Sequence, residues 1–165
     1  MNFKNLNKKL KVVLSVGDES GVGPEIILKA LFSDEIPKNI DFTLVGSKKN
    51  LQNTYAYLRS LGLKNLANPE HLKIHDIKIS SSDNYSKSNY GNSSFYYLTK
   101  AIDIVKQNPN SALVTGPICK KSWSLAGHHF SGQTEVLAKE CGLKNVGMLF
   151  TAKSPITGWR FNTLL

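Results

Sequence analysis

Two short segments hold the residues whose types and spacing could do chemistry. Val114-Thr115-Gly116-Pro117-Ile118-Cys119-Lys120 reads as a buried strand that ends in a sharp Gly-Pro turn and delivers a lysine at the start of a helix. Ser131-Gly132-Gln133-Thr134-Glu135 reads as a glycine-led helix start with an amide, a hydroxyl and a carboxylate in a row. Such strand and helix ends present backbone N–H groups, and in α/β proteins they bind small anions. Lys120 is placed to reach an anion there, whereas Lys121 falls on another part of the helix. Thr134 has a plainer alternative, capping the helix, with Glu135 favoured by the helix dipole.

A third segment, Gly17 to Glu25, is a glycine-rich loop between a strand and a helix. It lacks the Gly-Lys-Ser/Thr of a P-loop and is not a GxGxxG fingerprint, since Pro24 and Glu25 follow Gly23. Asp18 and Glu19 would repel a phosphate. The loop therefore reads either as a tight turn with carboxylates near a helix N-terminus or as the polar rim of a ligand cleft. The histidines offer less. His128 and His129 are adjacent, a spacing that seldom serves one metal, and His71 and His75 sit in or beside a strand, where i and i+4 do not converge. No metal ligand set and no Ser/His/Asp or Cys/His triad can be assembled.

Alternating strands and helices must position these segments. Lys11 to Val16 is a continuous apolar run suited to a strand covered on both faces. Pro24 suits a first helical turn, and Ile26, Ile27, Ala30 and Leu31 form the helix face that follows. Asp41 to Gly46 is a second strand, and Leu51, Tyr55, Leu58 and Leu61 mark a helix closed by Gly62. Residues 72–79 read as a strand with one exposed face, and Ser80 to Asn89 as a mobile polar loop. Phe95, Leu98, Ile102 and Val105 define a helix of about 15 residues stopped by Asn108-Pro109. Strands at Ala112–Thr115, Val146–Phe150 and Ile156–Leu165 and short helices after Pro117 and Gly132 complete the series. The pattern implies an α/β fold, a mostly parallel sheet flanked by helices.

At 165 residues, 41% hydrophobic and 20% charged, the chain has the composition of one ordinary globular domain or part of a larger one. It carries no run of about 20 apolar residues that would span a membrane, and no signal peptide follows the basic start, so a cytoplasmic protein is expected. The net charge of +9 comes from dispersed lysines rather than clustered arginines, which reads as a solvated surface and not a nucleic-acid interface. Cys119 and Cys141 have neither metal nor CxxC spacing and read as small buried residues.

Two blocks resemble the 4-hydroxythreonine-4-phosphate dehydrogenase family of pyridoxal phosphate biosynthesis. Gly17-Asp18-Glu19-Ser20-Gly21-Val22-Gly23-Pro24-Glu25 is similar to that family's Gly-Asp/Glu-Pro-Ala-Gly-Ile-Gly-Pro-Glu block, with Glu19 and Ser20 in place of proline and alanine. Ala112 to Lys120, Ala126-Gly127 and Gly132 to Ala138 are similar to Leu-Val-Thr-Gly-Pro-Ile-x-Lys, Ala-Gly and Gly-His-Thr-Glu-x-Leu-Ala. Gln133 stands where the motif has histidine; an amide still donates and accepts hydrogen bonds but carries no charge near neutral pH.

The resemblance implies a fold of the isocitrate and isopropylmalate dehydrogenase type and a homodimer. The implied reaction oxidises the hydroxyl of 4-phosphooxy-threonine with NAD or NADP and loses carbon dioxide from the product, aided by a divalent metal such as Zn, Mg or Co. It implies that Gln133 and Thr134 contact the substrate and that Lys120 and Asp18 line the cleft. Family members are longer. On this resemblance residues 1–165 are the N-terminal portion, the first domain and the start of the second, with the C-terminal half absent and the metal-binding histidines beyond Leu165. Three alternatives stay open: a related dehydrogenase of a phosphorylated sugar acid such as phosphothreonate, a non-catalytic truncated remnant, and a nucleic-acid binder.

Overall fold

Four parallel strands carry the architecture. A computed structural model describes residues 9–37, 39–78 and 86–165. The chain divides into a larger unit ending at Ser131 and a smaller one from Gly132 to Leu165.

In the larger unit, β1 (Leu10–Ser15) pairs in parallel with β2 (Ile40–Gly46) on one side and β4 (Ser111–Thr115) on the other. β3 (Ile74–Asp76) pairs in parallel with β2, giving the order β3-β2-β1-β4. The strands advance from β1 to β3 in one direction, and the chain then crosses back to place β4 beyond β1. Right-handed crossovers put the connections on opposite faces for the two directions. Accordingly α1 (Gly23–Ala30) packs with α2 (Lys48–Ser60), while α3 (Lys87–Lys106) packs on β1, β2 and β4. The core joins Val12, Val13, Leu14 and Val16 with Leu44, Val45, Ile27, Leu28, Leu51, Leu58, Tyr97 and Ala101. The apolar runs of β1 and β2 are thus buried between helices, as a strand covered on both faces requires.

The flanking signals act as their chemistry dictates. Pro24 lies in the first turn of α1. Ser47 and Ser86 cap α2 and α3, each side chain accepting from the backbone N–H three residues on. Gly62 takes φ +86° after α2, a left-handed value that favours glycine.

Several boundaries differ from the sequence expectation. In α1 the buried pair is Ile27 and Leu28, and Ile26 is exposed, because the helix starts at Gly23 and turns its face by one residue. Leu61 lies beyond the end of α2 and is exposed. The strand expected over 72–79 is three residues long, with residue 79 outside the described residues. Residues 80–85 of the expected loop also lie outside them, but Ser86 already caps α3, which spans 20 residues rather than about 15. Residues 87–89, expected in the loop, form its first turn, and Gly91, Ser93 and Ser94 are buried just beyond it.

The smaller unit holds α5 (Gln133–Glu140) and an antiparallel hairpin of β5 (Leu149–Lys153) and β6 (Arg160–Leu164). Both strands start later than expected, since β5 pairs with β6 alone and their register sets the ends. All ten hairpin residues are exposed. The α/β fold with a parallel sheet flanked by helices is as the sequence indicated. No helix among the described residues is long and apolar enough to cross a membrane.

Candidate ligand site at the carboxyl edge of the sheet

The strand order reverses between β1 and β4, and the loops after those two strands meet there. In open parallel sheets, ligands bind outside the carboxyl ends of the strands at such a reversal. The Asp18 N–H donates to the Pro117 carbonyl over 2.9 Å, and the Gly116 N–H donates to Ser15 over 2.7 Å, so the glycine-rich loop and the Gly-Pro turn form one corner. The fit is tight. Gly17 has φ +79°, and a Cβ there would lie 2.3 Å from the Pro117 oxygen. A Cβ on Gly116 would lie 2.4 Å from the Val16 oxygen. Both positions require glycine.

Asp18 is buried, only 6% exposed. Its Oδ1 accepts from the Ser20 N–H at 2.9 Å and the Ser20 hydroxyl at 2.7 Å, which closes the loop on itself. Glu19 turns toward the sheet. The Tyr97 hydroxyl of α3 donates to its Oε1. Burial raises the Glu19 carboxyl above its ordinary range, the Tyr97 bond and the nearby Ser47 backbone N–H oppose that, and Asp18 and Asp76 add to it. Burial, with the Glu19 charge beside it, pushes the Tyr97 phenol well above its ordinary value.

On the β4 side, Lys120 opens α4 (Lys120–Leu125), with Cys119 as the residue before it. Lys120 is exposed and makes no ion pair among the described residues. Cys119 is half-buried and Cys141 exposed, so neither is the buried residue expected, and both are free thiols. Hydrogen bonds from the Ser122 side chain and backbone lower the Cys119 thiol below its ordinary value. Trp123 is fully buried and donates through Nε1 to Ser94 on α3 over 2.8 Å.

In the smaller unit, Gln133 and Thr134 occupy the first turn of α5, and both are half-buried. The cap position falls on Gly132, whose extended backbone (φ 177°) supplies no side-chain cap, so Thr134 is not the capping residue. The helix opens instead on backbone N–H groups with a hydroxyl and an amide beside them. Of the four residues singled out from sequence, Asp18 and Lys120 thus flank one corner of the larger unit, and Gln133 and Thr134 open a helix of the smaller one.

His128 stacks on Phe95 with ring centroids 3.8 Å apart, and its Nε2 lies 2.7 Å from Asn92 Oδ1, a packing role. His71 lies in a short 3-10 turn and His75 in β3. Among the described residues, no group of three His, Cys, Asp or Glu could hold a metal ion. Glu19 and Tyr97 are what the sequence reading missed. Their contact spans 78 positions, and no local pattern announces it.

A parallel sheet that reverses at β1 and β4, with glycine-only loops at the reversal, defines the chain as a doubly wound α/β protein, a class in which ligands bind at that carboxyl edge. Sequence comparison narrows that class. The profile of the family described as "Pyridoxal phosphate biosynthetic protein PdxA" matches residues 38–158, and the chain belongs to that family. The 4-hydroxythreonine-4-phosphate dehydrogenase of Nostoc sp. (strain PCC 7120) is 43% identical over 162 residues, covering 94% of this chain and 45% of the relative. That of Synechococcus sp. (strain RCC307) is 41% identical over 157 residues, covering 94% and 47%. The chain thus spans about half the length of the curated relatives it matches. The fold is that of solved structures of the same name. The Burkholderia phymatum structure gives a TM-score of 0.72 at 20% identity, over 86% of this chain and 46% of that one. The Klebsiella pneumoniae structure gives 0.70 at 22%, over 88% and 48%.

Proposed function

We propose that the chain forms the N-terminal, substrate-side portion of a dehydrogenase that oxidises and decarboxylates 4-phosphooxy-threonine in pyridoxal phosphate biosynthesis. The observation that carries this reading is the 43% identity to a protein of that name along 94% of the chain. The reversal of the sheet at the Gly17 and Gly116 loops supports it, because such a corner seats small anionic ligands. Thr134 and Gln133 hydrogen-bond the substrate, Lys120 faces its anionic end, and Asp18 lines the cleft. NAD or NADP accepts the hydride. The resemblance implies a divalent metal whose histidine ligands lie beyond Leu165. On the same reading the enzyme works in the cytoplasm as a homodimer.

The native protein, supplied with NAD(P) and a divalent metal, is expected to reduce the nicotinamide with 4-phosphooxy-threonine. Failure to bind or turn over that compound would end this reading. The 165-residue chain alone is expected to reduce no nicotinamide, and turnover by it would overturn the division of roles. Thr134→Ala should weaken substrate binding by about tenfold, the worth of one hydrogen bond to a charged ligand, as read by calorimetry. Unchanged affinity and rate would remove Thr134 from the site.

Gln133 favours a second reading, a related dehydrogenase of a phosphorylated sugar acid such as phosphothreonate. An amide recognises a substrate by hydrogen bonds alone, without the titratable ring of the resembled motif. Turnover of the two substrates measured side by side separates the readings.

A further inference from the structure

Glu19 stands where the resembled block has proline, so no backbone ring stiffens this loop at that position. A set of long-range contacts takes its place. The side chain leaves the β1–α1 loop and reaches another element, accepting from the Tyr97 hydroxyl on α3. Tyr97 is 1% exposed and belongs to the core cluster, so it is a fixed anchor. Asp76, at the end of β3, accepts from the Lys48 N–H over 2.9 Å and ties a third strand end to the same place. The charged groups around Glu19 are Asp18 in its own loop and Asp76. Lys48, in the first turn of α2, is ion-paired to Glu70 at 3.1 Å.

We propose that Glu19 is a positioning residue that bolts the Gly17–Gly23 loop across the carboxyl edge of the sheet to α3, through the Tyr97 hydroxyl. The loop in turn fixes the Gly-Pro turn ahead of Lys120, through the Asp18 N–H bond to Pro117. The bolt is linked to protons. Burial and two neighbouring carboxylates disfavour the ionised form in the closed loop, so rising pH shifts the loop toward an open state in which the carboxylate is hydrated. What the loop serves rests on the ligand-site reading above. The order of the loop does not, and it is measured without ligand.

The experiment is amide hydrogen exchange on the chain and on Glu19→Ala, Glu19→Gln and Tyr97→Phe, corrected for intrinsic rates and followed across pH. The reporters are the Asp18, Ser20 and Gly21 amides. Glu19→Ala and Tyr97→Phe should speed their exchange about tenfold, the equivalent of one lost hydrogen bond, while amides of β1 and β2 stay slow. Glu19→Gln keeps the geometry without the charge, so it should restore protection and remove its pH dependence. If Glu19→Ala unfolds the chain, Tyr97→Phe and Glu19→Gln still decide. Unchanged protection in Tyr97→Phe, or identical pH profiles for Glu19→Gln and the parent, would overturn the proposal. Because no substrate is present, that result would leave the dehydrogenase reading standing.

Discussion

Asp18 and Glu19 are adjacent carboxylates with different roles. Asp18 satisfies itself within the loop through Ser20, while Glu19 leaves the loop for Tyr97. The difference has a sign in pH. The Glu19 carboxyl is raised above its ordinary 4.5 in the folded chain, so the fold binds its proton more tightly than the unfolded chain does. Its stabilising contribution is full below that value and is lost as pH rises through the raised one. Glu19→Gln should therefore raise the melting temperature at neutral pH and leave it nearly unchanged in acid, as read by thermal denaturation. His128 runs the other way. Burial lowers its imidazole from 6.5, so its contribution is present above that value and fades as pH falls through the lowered one. A His128→Phe variant, which keeps the stack on Phe95, should lose less stability than the parent on acidification. The glycine-rich loop after β1, the Gly-Pro turn after β4 and the helix start after Gly132 were legible because each is local in sequence. The Glu19 anchor was not, because its partner lies on another element and only tertiary packing brings the two together.

Among the elements, α3 shows why polarity misleads. Its Ser- and Asn-rich start, residues 87–89, reads as the end of a loop, yet it is helical, and the small residues that follow pack on α4. A Cβ on Gly91 would lie 2.0 Å from the Ser122 carbonyl, and Ser94 accepts the buried Trp123 N–H. Small residues here are a packing surface, whereas sequence alone registers them as helix breakers. Gly91→Ala should therefore cost about 1–3 kcal/mol despite its better helix propensity. Ser94→Ala should cost about 1–3 kcal/mol by orphaning the indole N–H. Urea unfolding monitored by tryptophan fluorescence checks both. β1, β2 and α2 came out close to expectation because their apolar periodicity, serine cap and closing glycine agree with one another. β5 and β6 were misplaced because a register between two short strands is set by their pairing, which no single strand encodes.

At the scale of the whole molecule, burial is uneven. The parallel sheet holds fully buried residues such as Leu44 and Val45, while the β5–β6 hairpin exposes Leu149, Phe150, Phe161 and Leu164. Isolated two-stranded hairpins are marginal in water. Leu44→Ala should cost about 2–5 kcal/mol. Phe161→Ala should fall within about 0.5 kcal/mol, the range of exposed positions. Equal effects in chemical denaturation would show that the hairpin is packed in solution. The order of the sheet was legible as a class, since strand and helix alternate, but its reversal at β4 was not, because nothing in a strand names its neighbour. That reversal rests on Gly17 and Gly116, whose backbones touch with no space for a side chain. A lineage carrying this corner can exchange the residues on its rim one at a time, as at positions 19 and 20, and retune what the loop does. The two glycines must be inherited unchanged, so diversification here acts on the chemistry and leaves the frame in place.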